Sequence, residues 1–95
     1  MTKGQFIDSS SAYLKYDPDG TFHELRLYDE NHALYLEIAY HVETTLGQGK
    51  ILHFHIYDER FSKTNGTFFR SEAIRVTEDM DIYIKYKKVF RGVKL

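Results

Sequence analysis

A two-residue alternation of side chains in the middle of the chain is the feature that most limits how it can fold. Apolar residues take every second position between residues 33 and 42, and small, polar or aromatic residues take the others. Successive side chains of an extended strand point to opposite faces, so this pattern predicts a β-strand with one face in a core. The same pattern predicts three further strands, at residues 12–16, 21–28 and 51–58.

Short polar segments separate the predicted strands. The tetrapeptide Asp17-Pro18-Asp19-Gly20 predicts a tight hairpin turn, because proline presets φ at the first central position and glycine accepts a positive φ at the exit. Residues 29–32 predict a second turn, and residues 44–50, which contain two glycines, predict a loop. Strands joined in this way form an antiparallel meander. For residues 59–76 the sequence leaves two structures possible: an irregular hairpin with its turn at Asn65-Gly66, or an exposed loop.

The C-terminal part of the chain has helical periodicity. Thr77 is the predicted N-cap and Gly92 the residue that ends the helix, with acidic residues near the start and basic residues near the end. One apolar stripe at helical spacing consists of Ile82, Tyr86, Val89, Phe90 and Val93. The predicted fold class is therefore α+β: a four-stranded or larger antiparallel meander sheet with a C-terminal helix packed on one face.

Length and composition narrow the class of protein further. The chain has 95 residues, which predicts one α+β domain over 1–95, with residues 1–10 as a flexible N-terminal segment. It has no cysteine, so disulfides, thiolate metal sites and cysteine nucleophiles are excluded. The net charge of −1 gives no overall attraction to nucleic acid or to anionic membranes. The polar start lacks a signal-peptide pattern and no membrane span is expected, so the predicted location is the cytoplasm.

The sheet face opposite the predicted helix is expected to be an accessible surface on which imidazoles and acidic side chains gather. If the even-numbered residues of the fourth strand are buried, alternation gathers the following side chains on the other face, with Glu43 beyond the end of the third strand: Tyr13, Lys15, Phe22, Glu24, Arg26, Tyr28, Tyr35, Glu37, His41, Ile51, His53, His55 and Tyr57. Two registers are open, because the loop at 44–50 is too long to fix the pairing. One places His41 opposite His53, and the other places Glu37 opposite His55. His23 has the core-facing parity, which predicts a satisfied, partly buried ring.

One chemistry that this polar face could perform is metal-free cleavage of RNA. A glutamate or histidine would take the proton of a ribose hydroxyl, a second histidine would protonate the leaving oxygen, and a cation would stabilise the phosphorane. Tyrosine rings would stack unpaired bases. The residues assigned to catalysis are His41, His53, His55, Glu37 and Arg26, and those assigned to nucleic-acid binding are Tyr35, Tyr57 and Lys15.

Two other uses of the face remain open. Metal binding is one, because His53 and His55 lie side by side on one strand, and His41 and Glu43 on the neighbouring strand could complete a site. A solvated or partner-binding face without catalysis is the other, because cross-strand ion pairs stabilise such faces unaided. The site prediction assigns no metal ligand and no cofactor, and leaves open whether the protein is an enzyme. The partners considered are RNA, a second copy of the chain, or a phage or host protein.

Three short stretches carry a resemblance to known proteins. The runs 22–30, 37–41 and 52–57 contain a Tyr-Asp turn, an Ile-Ala-Tyr-His strand end and a His-Phe-His motif. Over residues 13–58 the chain resembles small prophage-encoded proteins and the toxin-like domains of phage head-morphogenesis and polymorphic toxin proteins. The resemblance implies a phage or bacterial origin and a ribonuclease-like activity. It points to His41, His53 and His55 as the site residues.

Overall fold

The protein is described by a computed structural model over residues 11–29, 33–57, 63–64, 67–68 and 71–95. The predicted N-terminal segment 1–10 and the predicted Asn65-Gly66 turn lie outside these residues. No helix in the described ranges is long and apolar enough to cross a membrane.

A five-stranded antiparallel sheet is the main element of the fold. Its strands, in spatial order, are β1 (Ser11–Tyr16), β2 (Phe22–Tyr28), β3 (Leu34–Val42), β4 (Lys50–Ile56) and β7 (Ile74–Arg75). A separate two-stranded ribbon pairs β5 (Lys63–Thr64) with β6 (Thr67–Phe68). The sheet and the helix described below confirm the predicted α+β class and meander order, and β7 extends the sheet by one strand.

The first hairpin turn forms as its residues predict. The amide of Gly20 donates to the carbonyl of Asp17 at 2.8 Å, and the amide of Asp17 donates to the carbonyl of Thr21 at 2.8 Å. Gly20 has φ of +89°, the left-handed conformation that favours glycine. The Asp19 carboxylate accepts a further bond from the amide of Thr21 at 2.9 Å. Local turn chemistry therefore fixes how β1 meets β2.

One face of the sheet holds the main hydrophobic core. The pairs Leu14–Leu25, Leu25–Ile38 and Ile38–Phe54 run across four strands at the same level, so their side chains share this face. The C-terminal segment covers it with Tyr86 and Phe90, both buried in the same cluster. This arrangement confirms that the helix packs on the apolar face and leaves the polar residues on the opposite side.

The helix is shorter than its periodicity predicts. Its α-helical part, α1, spans Asp81–Tyr86 and continues as a 3₁₀ turn over Lys87–Val89. The predicted N-cap at Thr77 is wrong, because the N-cap position is Met80 and the Thr77 hydroxyl instead donates to the Asp79 carboxylate. The segment is dominated by β-branched and aromatic residues, which have lower helix propensity than leucine or alanine. Packing of its rings on the sheet, rather than length, holds it in place.

The prediction that Gly92 ends the helix is wrong, because the helical segment ends at Val89, but Gly92 occupies a position that a larger residue would disturb. Its φ is +73°, and a Cβ built there would lie 3.1 Å from Oγ1 of Thr21. The adjacent Arg91 carbonyl accepts a bond from the amide of Phe22 at 2.8 Å. A close backbone approach thus joins the C-terminal turn to the start of β2.

We expect Gly92→Ala to lower the free energy of unfolding by about 2 kcal/mol and Gly20→Ala by about 1 kcal/mol. Both residues have a positive φ, but a Cβ at Gly20 would meet open space. Urea denaturation measures the difference. In a Thr21→Ala background, which removes the crowding atoms, Gly92→Ala should cost no more than Gly20→Ala. Equal losses from the two single variants would contradict the close approach.

Candidate metal centre

The polar face gathers the histidines that alternation places there. Strand β3 pairs with β4 so that Glu37 lies opposite His55 and Ala39 opposite His53. The structure therefore adopts the second of the two open registers. The rings of His41 and His53 have centroids 4.7 Å apart, and those of His53 and His55 lie 5.5 Å apart. The small side chain of Ala39 leaves room for this row of imidazoles.

Two β-bulges change which side chains share this face. Between Lys15 and Tyr16 the register with β2 shifts, so Tyr16 pairs with Phe22 and His23 becomes the extra residue. The predicted position of Phe22 on the polar face is wrong, because its ring is fully buried in the core. The predicted core-facing parity of His23 is wrong as well. Its ring lies 6.2 Å from that of His41 and so extends the row of imidazoles.

The second bulge concerns Tyr35. Leu27 pairs with Leu36 and Tyr28 with Leu34, so Tyr35 is the extra residue of β3. Its side chain packs against the hydrophobic core on the helix side. Its predicted place on the polar face is therefore wrong, because the shift by one residue moves the ring to the other face.

The central imidazoles are buried, although the sequence predicts an accessible cluster. His53 is 0% exposed and His55 is 5% exposed. The loop after β3 folds toward this face, where the Leu46 carbonyl accepts a 2.6 Å bond from Nη2 of Arg75. Arg75 is the cross-strand partner of His53. The prediction of an exposed cluster is wrong because alternation records which face a residue takes but not what covers that face.

Backbone carbonyls fix the tautomer of both buried rings. Nδ1 of His53 lies 2.7 Å from the carbonyl oxygen of Ile51, and Nδ1 of His55 lies 2.9 Å from that of Ser71. A carbonyl oxygen only accepts, so Nδ1 donates and the lone pair of the neutral ring lies on Nε2. This is the arrangement that orients metal-ligating histidines in proteins.

Nε2 of His53 stands out among the buried polar atoms of the described residues. It is fully enclosed and has no hydrogen-bond partner, and no other buried side-chain nitrogen or oxygen in those ranges shares this condition. Leaving such an acceptor without a partner costs about 1–3 kcal/mol. A positively charged ion within reach of its lone pair would remove that cost.

Glu43 completes a set of three ligands. One ligand atom from each of Glu43, His53 and His55 lies within 4.8 Å of the others. Bonds of about 2.0–2.2 Å around a tetrahedral ion place ligand atoms roughly 3.4 Å apart, so the most distant pair must close by up to about 1.4 Å. Rotation of the long glutamate side chain can shorten its distances to the two rings, which are already held by their carbonyl bonds. Two imidazoles and one carboxylate suit Zn²⁺ and neighbouring transition metals.

The protonation states of this group favour a cation. Burial is the main cause that lowers the pKa of His53 below its ordinary 6.5, and the other histidines add to the effect. A hydrogen bond from Thr45 is the main cause that lowers the pKa of Glu43, and its hydroxyl donates to the carboxylate at 2.7 Å. The His53 ring is therefore neutral and the glutamate ionised near neutral pH, which are the forms that bind metal.

A cavity of about 360 Å³ opens beside two of the three ligands. Glu43 and His55 line it, and His53 is not among its lining residues. The other lining residues are Thr45, Ser71, Glu72 and Ala73. An ion held by the three ligands would therefore be supported by a buried ring and face an open space.

Other predicted catalytic residues form a separate group on the same face. Nε of Arg26 lies 3.3 Å from the carboxylate of Glu24 and 3.2 Å from that of Glu37. Although partial burial opposes its charge, these acidic neighbours and Tyr28 raise the pKa of Arg26. Glu37 also accepts a 3.2 Å bond from the hydroxyl of Tyr57. The charges of Arg26 and Glu37 are thus used within a structural network.

Lys15 lies near this network, and His41 lies at the other end of the row of rings. Lys15 is exposed on β1, with Glu24 as its cross-strand partner. His41 is half-buried, and its Nδ1 lies 2.9 Å from the carbonyl oxygen of Val42. The structure thus brings together His41, His53 and His55, and groups Glu37 with Arg26 and Tyr57.

Ser71 is a site residue that sequence reasoning missed. Its carbonyl orients His55, while its amide and hydroxyl bond to the backbone of Ile56 at 2.7 and 2.9 Å. Because Ser71 orients His55 through a backbone carbonyl, no side-chain pattern reveals this role.

No protein-family model, curated protein or solved structure matches the chain. The resemblance to phage proteins and toxin-like domains therefore stays a prediction, and the function rests on the site itself.

Proposed function

We propose that this protein binds one divalent transition-metal ion, most favourably Zn²⁺, through Glu43, His53 and His55. The observation that carries the proposal is the buried, partnerless Nε2 of His53, on a ring that lies close to a second imidazole and a carboxylate. A hydrogen-bonded Nδ1 on each ring presents the lone pair of Nε2 for coordination. The neutral ring and the ionised glutamate supply the required charge states.

Metal titration tests this proposal directly. The protein is purified without a metal-affinity column, stripped with chelator, and titrated with Zn²⁺ in a calorimeter, with elemental analysis of the dialysed sample. We expect one ion per chain. Glu43→Gln should weaken binding by about 100-fold, because it replaces a charged ligand by a neutral amide of the same shape.

Two further variants separate loss of a ligand from loss of the fold. His55→Ala should also weaken Zn²⁺ binding by about 100-fold. His41→Ala removes an imidazole of the same row that lies outside the three-ligand group, and it should change the affinity by less than about 3-fold. Circular dichroism checks that each variant is folded. Wild-type protein that takes up no zinc, or Glu43→Gln that binds as tightly as wild type, would overturn the proposal.

The metal site accounts for the burial of the imidazoles better than metal-free RNA cleavage does. A general acid or base must reach the proton that it transfers, and neither His53 nor His55 has much exposed surface. The ribonuclease and partner-binding hypotheses stay predictions. Cleavage of RNA by the chelated wild type, lost in the His53→Ala, His55→Ala double variant, would favour the ribonuclease instead.

A further inference from the structure

The ligand count and the cavity together suggest what the metal would do. Within the described residues, the group that can hold a metal contains three protein ligands, one fewer than a closed tetrahedral zinc site. Structural zinc sites use four protein ligands, whereas sites with three leave a position for water or substrate. The cavity of about 360 Å³ lies on the side of Glu43 and His55.

The two hydroxyl groups in the walls of this cavity have no hydrogen free to donate to a bound molecule. The Thr45 hydroxyl donates to Glu43, and the Ser71 hydroxyl donates to the carbonyl of Glu72 at 2.9 Å. Both hydroxyl hydrogens are therefore committed within the protein. Ala73 adds only a methyl group to the lining. A molecule in the cavity would gain most of its binding energy from the metal itself.

Charge and size indicate the class of that molecule. A divalent ion with one carboxylate and two neutral imidazoles keeps one positive charge at its open position. Glu72 is exposed, so solvent screens its negative charge. The cavity is at the lower end of the range for small-molecule sites. We infer that the metal site, if the proposed function holds, has an open coordination position that takes a small monoanionic oxygen or nitrogen donor, such as a carboxylate, in exchange for water.

Cobalt substitution tests the inference separately from metal binding. Co²⁺ replaces Zn²⁺ in such sites and its visible absorption reports the ligand set. The Co²⁺-loaded protein is titrated with azide and with acetate. We expect each anion to shift the visible bands with saturation at one anion per metal, because it replaces a bound water.

A variant that fills the cavity provides the matched control. Ala73→Leu places a larger apolar side chain in the lining and leaves all three ligand residues in place. It should weaken the response to azide by at least about 10-fold and change Co²⁺ affinity by less than about 3-fold. A protein that binds Co²⁺ but shows no spectral response to either anion would overturn the open position and leave the metal site standing. A protein that binds no Co²⁺ would overturn both.

Discussion

Replacing Phe22 by alanine is expected to lower the free energy of unfolding by about 3–5 kcal/mol. The Phe22 ring is fully buried and meets the Phe90 ring edge-on, with centroids 5.0 Å apart. It meets the Tyr16 ring in a similar way at 6.3 Å. Truncation would leave a large cavity between the sheet and the C-terminal turn. A domain of this size has a total stability of roughly 5–14 kcal/mol, so the variant would lose a large share of it.

Tyr13→Ala is the control for this substitution. Tyr13 also lies at the β1–β2 edge of the sheet, but it is 37% exposed, and Cζ of Arg26 lies 5.8 Å from the centroid of its ring. Its removal should cost about 1 kcal/mol or less. Urea denaturation followed by circular dichroism measures both variants. A Phe22→Ala loss as small as that of Tyr13→Ala would mean that the ring lies on the polar face, as simple alternation predicts.

Phe22 illustrates what a strand pattern can and cannot reveal. The period of two identified four strands and the apolar face, because a half-buried strand must alternate. One inserted residue reverses that parity beyond the insertion, and nothing in the local sequence marks it. For this reason His23 and Phe22 exchange faces, and Tyr35 leaves the polar face. The prediction was correct for the long, regular part of each strand and wrong next to the bulges.

The candidate site was predictable to a similar extent. The side-by-side position of His53 and His55 follows from alternation alone, and Glu43 was recognised as a neighbour beyond the end of its strand. The register was not predictable, because it depends on a long loop. Neither was the burial of the rings, which depends on how that loop and the segment before β7 pack over the face. Ser71 belongs to that segment and contributes backbone atoms, which carry no sequence signal.

Zinc is expected to stabilise the stripped protein by about 4 kcal/mol when the free ion is at 1,000 times its dissociation constant. The ion binds the folded chain, in which Glu43, His53 and His55 are already close, far better than the unfolded chain. Urea denaturation near neutral pH, with zinc or with chelator, measures this gain. Glu43→Gln should reduce it by about 2–3 kcal/mol, the equivalent of a 100-fold weaker affinity.

Acid should lower the free energy of unfolding of the metal-free protein. Burial lowers the pKa of His53 in the folded state, so below about pH 6.5 the unfolded chain takes up a proton that the folded chain resists. The contribution of His53 to the free energy of unfolding is therefore zero above this pH and falls by up to about 1.4 kcal/mol per pH unit below it, until the folded pKa is reached. His53→Gln should lower the slope of the free energy of unfolding against pH, because one proton fewer is taken up on unfolding. Lys15→Gln should leave this slope unchanged. Identical pH profiles for wild type and His53→Gln would show that the ring is protonated as readily in the folded chain as in the unfolded one. In the zinc experiment, an unchanged urea midpoint on addition of zinc would show that the folded chain holds no ion at Glu43, His53 and His55.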